Sequence, residues 1–187
     1  MKVLARTQFG NPILHKKAKR ISKTEITSLA TQRLIKDMQY TLIEKKLGIG
    51  LAAPQVGKSV ALAVIAIRPT PHRPKVKEFD LVLINPVITD FVGEKTSLWE
   101  GCISAGSEGK ADLFAKVPRH TEVKVKYHDE NGVICHKTFK GLEAQVIQHE
   151  TDHLNGTLFV DRVTDTKTFM TYKEYMQRIK KLPTKNT

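Results

Sequence analysis

The stretch Gln148-His149-Glu150-Thr151-Asp152-His153 sets two imidazoles four residues apart, with a carboxylate beside the first. At about 100° per residue, positions i and i+4 leave a helix from one face. His149 and His153 can therefore grip one metal ion, and Glu150 can reach a water held there as general acid and base. Leu142 and Val146 fall within about 60° of the two histidines on the same helical wheel, so the ligand face is also an apolar face. A metal on that face lies at the floor of a hydrophobic pocket. Asp152 reads as an outer or structural residue, placed to accept from an imidazole N–H, with simple solvation as the alternative.

Two protein ligands leave a divalent ion poorly held. No histidine follows His153, and Glu174 is the only later glutamate. Upstream, Glu100-Gly101-Cys102-Ile103-Ser104 offers a thiolate, which with two imidazoles suits a borderline divalent ion and leaves a position open for water. The alternative for Cys102 is a small buried apolar side chain, the role expected for Cys135. A third segment, Gly48-Ile49-Gly50-Leu51-Ala52-Ala53-Pro54-Gln55, is built of small residues that let a backbone approach a ligand closely. From it, Gln55 can aim its amide N–H at a developing oxyanion.

These segments need elements to position them. Apolar residues at helical spacing place a helix over 141–154, followed by Gly156. An earlier helix starts at the capping box Ser22-Lys23-Thr24-Glu25, carries Ile26, Leu29, Leu34, Ile35, Met38, Leu42 and Ile43, and ends at Gly48. Strands are expected at 60–67, 81–84 and 87–91. Alternation predicts two more over 123–127 and 133–139, joined by a hairpin turn at Glu130-Asn131-Gly132. Residues 1–21 and 100–119 read as irregular, and a charged helix fits 167–181. With no repeat and no linker, 1–187 reads as one α+β domain.

The 187 residues carry a formal net charge of +12, which favours polyanionic neighbours such as nucleic acid, the ribosome or an anionic membrane, or else simple solvation. No apolar run approaches the roughly 20 residues that span a bilayer, which argues against a membrane protein. Two cysteines and no secretory leader predict free thiols in a reducing cytoplasm.

Taken together, the three segments resemble the signature motifs of the peptide deformylases, in the family's order and at similar spacing. The likeness extends to Gly10-Asn11-Pro12-Ile13-Leu14 and to Leu158-Phe159-Val160-Asp161-Arg162, and so covers nearly the whole chain. It implies antiparallel sheets surrounding the motif helix, with a C-terminal helix, and removal of the formyl group from N-formylmethionine of nascent polypeptides. Cys102, His149 and His153 would hold one divalent metal, Fe2+ first, with Zn2+, Ni2+ or Co2+ able to replace it. Glu150 would be the acid/base, with Gln55 and the backbone N–H of Ile103 as oxyanion donors. Ile49, Leu142 and Val146 would receive the methionine side chain, and the peptide would run beside Gly48 and Gly50 as an added strand. N-formylmethionyl peptides are the implied partners, with the ribosome near the nascent-chain exit as a further one and a monomer as the expected state.

The chain departs from the family after Ser104, where Ala105-Gly106-Ser107-Glu108-Gly109-Lys110-Ala111-Asp112 is longer and more polar, with Lys110 a candidate substrate contact. Gln145 is also polar for a position so near the pocket. Two other functions fit part of the pattern. One is a different metal-dependent amidase or peptidase, with another third ligand. The other is a basic ribosome- or RNA-binding protein without turnover, using Lys173, Arg178, Lys180 and Lys181. The complete set of ligands, base and oxyanion donor argues against the non-enzyme.

Overall fold

The computed structural model describes residues 1–44, 48–71, 73–106 and 111–181, with side chains through Arg178. Lys110, Lys180 and Lys181 lie outside the residues or side chains described, as does the middle of the long loop after Ser104.

The capping box forms as expected: the Ser22 hydroxyl accepts from the Glu25 N–H, and the Glu25 carboxylate accepts from the Ser22 N–H. It opens only one turn, α1 (Lys23–Ile26). A second cap interrupts the helix, with the Ser28 hydroxyl accepting from Thr31 N–H, and α2 (Leu29–Glu44) starts there. A single turn and a 16-residue helix thus replace the one continuous helix, and Leu29 lies outside the buried face at 90% exposed.

Strand β1 (Gly50–Ala52) pairs with β2 (Leu62–Ile67), which pairs with β3 (Phe79–Gly101). Next come β4 (Leu113–His128) and β5 (Ile134–Lys140), all antiparallel. Strand β2 is buried along its whole length, which explains its continuous apolar run. The long β3–β4 ribbon absorbs both strands expected over 81–91 and the two ends of the stretch read as irregular, 100–101 and 113–119. It was hard to see because its outer half carries polar residues such as Lys95, Thr96 and Ser97, all exposed. The ribbon is not flat. Its register shifts between Ile84 and Val87, Ile88 and Asp90, and Val92 and Lys95. At the first shift Asn85 takes φ 53°, held by side-chain hydrogen bonds to the Ile21 backbone. Such bulges bend and twist a sheet.

The bent sheet touches α3 (Gly141–Leu154) through all five of these strands. One continuous hydrogen-bonded sheet, rather than separate sheets, therefore surrounds the motif helix. One apolar cluster fills the space between them, with Ile65, Leu83, Val125 and Phe139 meeting Val146 and Ile147. A second packs α2, through Met38 and Leu42, on the other side of β2. The last expected helix is shorter than 167–181. Asp165 caps a 3-10 turn at Thr166–Thr168, β6 (Met170–Thr171) pairs with the start of β4, and α4 (Tyr172–Lys181) follows. Tyr175 on α4 stacks on Phe114 at 4.2 Å and meets Trp99 edge-on.

Candidate active site

Helix α3 projects His149 and His153 from one face, as the i, i+4 spacing requires. Cys102 follows the end of β3, buried at 2% exposure, and its Sγ lies 3.3 Å from His153 Nε2. One donor atom from each of Cys102, His149 and His153 falls within 4.8 Å of the other two. His149 Nδ1 lies 2.9 Å from Glu100 Oε2, which leaves Nε2 for the centre. Thiolate and imidazole donors converging from three sides fit a borderline divalent ion.

The charges reinforce that arrangement. Burial pushes the Cys102 thiol up, but the imidazoles of His153 and His149 overcome it and hold it well below the usual thiol range. Burial opposes charge on His149, yet Cys102 and Glu100 raise its affinity for a proton. The two shifts have one cause, the closeness of the thiol to the imidazoles. Glu150 is different. It is 3% exposed, its Oε2 has no protein partner among the described residues, and burial pushes its carboxyl up to about 7 against the pull of His149 and His153. A carboxyl near that value can both take and give a proton at neutral pH.

Gln55 sits in a 3-10 turn directly after β1. Its Oε1 accepts from Ala52 N–H at 2.8 Å, which turns its NH2 toward Cys102 Sγ at 3.3 Å and Ser104 Oγ at 3.4 Å. The N-terminal segment braces both loops from behind. Thr7 N–H donates to Gln55 O at 2.7 Å, Phe9 N–H to Ser104 O at 2.8 Å, and Arg6 Nη1 to Ile103 O at 3.1 Å. The Ile103 N–H makes no protein hydrogen bond among the described residues. Gly50 approaches Glu150 so closely that a Cβ there would lie 2.7 Å from its carboxyl carbon. Ile49, Leu142 and Val146 share one apolar cluster. Leu142 also borders a cavity of about 230 Å³ with Ile67, Val76, Lys77, Lys140 and Glu143. Gly48 stands at φ 116° ahead of β1.

Two sequence expectations are corrected. Asp152 serves no imidazole: it accepts from Arg119 Nη1 at 2.6 Å and from Arg162 Nη2 at 2.8 Å. The His149 partner is instead Glu100, whose other oxygen accepts from Arg119 Nε at 2.8 Å. Burial alone would raise Glu100, but His149 and Arg119 hold it at about 2. Cys135 is only partly buried, at the edge of the core rather than inside it. Gln145, the unexpectedly polar neighbour, donates to Trp99 O at 3.0 Å and so ties α3 to β3. Arg119 was missed, although an arginine at an inward position of an alternating strand is a readable signal.

A thiolate and two imidazoles about one point, with a buried carboxyl beside them, define a metal-dependent hydrolase of thiolate–imidazole type. A family model of polypeptide deformylases matches residues 4–169. The chain is 38% identical to peptide deformylase 2 of Nostoc sp. over 181 residues, covering 96% of this chain and 94% of that one. It is 42% identical to the peptide deformylase of Prochlorococcus marinus over 164 residues, 88% of this chain and 74% of that one. Among solved structures it resembles the Met-Ala-Ser-bound class I type b peptide deformylase of Acinetobacter baumannii. That likeness has TM-score 0.79 and 37% identity, over 86% of this chain and 98% of that one. The actinonin complex of a peptide deformylase from Synechococcus elongatus gives TM-score 0.74 and 38% identity, over 88% and 83%. The chain belongs to the polypeptide deformylase family, an enzyme family that is metal-dependent and hydrolyses the formyl amide of N-formylmethionyl peptides.

Proposed function

We propose that this chain, as one domain, carries out that reaction with Cys102, His149 and His153 as metal ligands and Glu150 as acid/base. The convergence of three ligand atoms within 4.8 Å, beside the partnerless carboxyl oxygen of Glu150, is the observation that carries the reading. A divalent ion held there, Fe2+ by preference, would supply Lewis acidity toward water and the formyl oxygen.

The chain's own groups do the rest. Glu150 takes a proton from the attacking water and returns it to the departing amine, a task suited to a carboxyl near 7. Gln55 Nε2 and the Ile103 N–H donate to the oxygen on which negative charge develops. Ile49, Leu142 and Val146 receive the methionine side chain and exclude water from it. β1 is the outer strand of the sheet, so the peptide can add to its free edge beside Gly48 and Gly50. Glu100 fixes the His149 ring, and Arg119 fixes Glu100.

Such an enzyme meets its substrates as they leave the ribosome, in the cytoplasm. A monomer suffices, because every proposed group comes from one chain. The test is formate release from formyl-Met-Ala-Ser by anaerobically prepared, Fe2+- or Ni2+-loaded protein, beside Glu150→Ala. Release by the wild type that disappears in the variant, with metal content retained, supports the assignment. Equal rates in both would refute the role of Glu150.

A further inference from the structure

The segment after the first 3-10 turn (Pro12–His15) carries a run of cations that the catalytic site does not use. Leu14, Ala18 and Ile21 are buried, while His15, Lys16, Lys17, Lys19 and Arg20 are exposed. Backbone pairing widens the patch. Lys19 N–H donates to Ser59 O at 3.0 Å and Ala61 N–H to Lys19 O at 2.7 Å, which brings exposed Lys58 alongside. Ala18 N–H donates to Leu154 O at 2.8 Å, fixing the segment to the C-terminal end of α3. Among the described residues none of Lys16, Lys17, Lys19, Arg20 and Lys58 forms an ion pair. The nearby carboxylate of Glu25 is occupied by the Ser22 cap.

We propose that this face, His15 to Arg20 with Lys58, binds the phosphate backbone of RNA. Unpaired, closely spaced cations on a fixed backbone match a polyanion, and binding by charge alone needs no base reading. Extended chain spans about 3.3 Å per residue, so the run covers several phosphates rather than one. No large apolar side chain is exposed between residues 4 and 28, so the face offers nothing to insert into a lipid surface. The choice of RNA over other polyphosphates rests on the deformylase reading, since the substrates arise on a particle built largely of RNA. The cation cluster does not depend on it.

The experiment is fluorescence anisotropy of the intact protein with a labelled single-stranded RNA, from about 50 to 200 mM salt. Lys16→Gln/Lys17→Gln/Lys19→Gln/Arg20→Gln is compared with Lys75→Gln/Lys95→Gln/Lys137→Gln/Lys173→Gln, an equal loss of charge elsewhere. The first set should weaken binding at least about tenfold and lower the salt slope by roughly three, each lost phosphate contact removing about 0.7–0.9. The second should change affinity less than about twofold. The milder pair Lys19→Gln/Lys58→Gln should lower the slope by about 1.5, which guards against a misfolded quadruple variant. Equal weakening by both quadruple sets would reduce the effect to net charge and overturn the proposal, as would RNA binding unchanged in the first. Loss of binding only to phosphatidylserine vesicles would overturn it in favour of a membrane contact. Formate release from formyl-Met-Ala-Ser, read on the same proteins, should be unchanged. If the wild type released none, the deformylase reading would fail while the RNA result stood.

Discussion

Gly50→Ala tests how tightly β1 and α3 hold the acid/base. The added methyl would lie 2.7 Å from the Glu150 carboxyl carbon and 3.0 Å from its Cγ, with Oε1 nearer still. Ordinary contact begins at 3.4 Å, so the carboxyl group or the strand must give by at least about 0.7 Å. Neither is free to do so cheaply. Gly50 is fixed in register opposite Ile65, and Glu150 is buried in the middle of α3. Overpacking of this size costs typically about 1–3 kcal/mol of stability. The kinetic effect should be larger than that suggests, because a displacement near 1 Å in a reacting group costs about 10²-fold in rate. The assay is kcat and KM for formyl-Met-Ala-Ser with metal content measured on the same preparation, and urea denaturation beside it. The expected result is kcat down about 100-fold, near-normal metal and a modest stability loss. A variant within about threefold of wild-type kcat would show that Glu150 has room to move, and the proposed proton path would fail. Loss of metal in step with activity would place the damage at the ligands instead.

Three further outcomes follow from the site. Cys102→Ala should bring bound metal from near one per chain to near zero by elemental analysis, while Cys135→Ala leaves it unchanged. Metal retained without Cys102 would point to a different third ligand. Gln55→Leu removes the NH2 that faces Cys102 and should lower kcat about 10²–10³-fold with little change in KM; a pure KM effect would make Gln55 a binding residue instead. In chelator-treated protein, Glu100 holds its proton more weakly folded, at about 2, than at its ordinary value of 4.5, so its contribution to stability is present above 4.5 and fades as pH falls toward 2. That shift is worth roughly 3 kcal/mol, of which about 2 should be gone by pH 3. The stability gap between wild type and Glu100→Gln in urea should therefore narrow from pH 6 to pH 3, and a constant gap would deny the carboxylate its charge in the folded state.

What could be read in the sequence was what is local. The bounds of α3, the hairpin turn at residues 130–132 and the shared helix face of His149 and His153 depend on spacings within a few residues, and the structure places them as expected. The break after Ile26 is local too, but two competing caps sit six residues apart and only the packing of Met38 and Leu42 decides where the long helix starts. The full length of β3 escaped because its outer half is exposed along most residues and so carries no alternation. In β4, Arg119 and Thr121 interrupt an otherwise inward apolar series of Ala115, Val117, Val123 and Val125, which hid the half before Val123.

The partners of the ligands were out of reach for a different reason. Arg119 joins Glu100, 19 residues away, to Asp152, 33 residues away, and no short spacing encodes that meeting. Its logic is nevertheless physical. Glu100 and Asp152 are two buried carboxylates close to the candidate metal site, and each would distort that site if left unpaired. Arg119 stands between them, almost fully buried, and the half-exposed Arg162 reaches Asp152 from outside. Two carboxylates and two guanidiniums cancel in formal charge. The network can therefore hold the His149 ring and the end of α3 rigidly while adding little net field at the ligands. Asp152 beside His153 looks like a histidine partner in one dimension. In three dimensions it is the far anchor of a chain that reaches the other histidine.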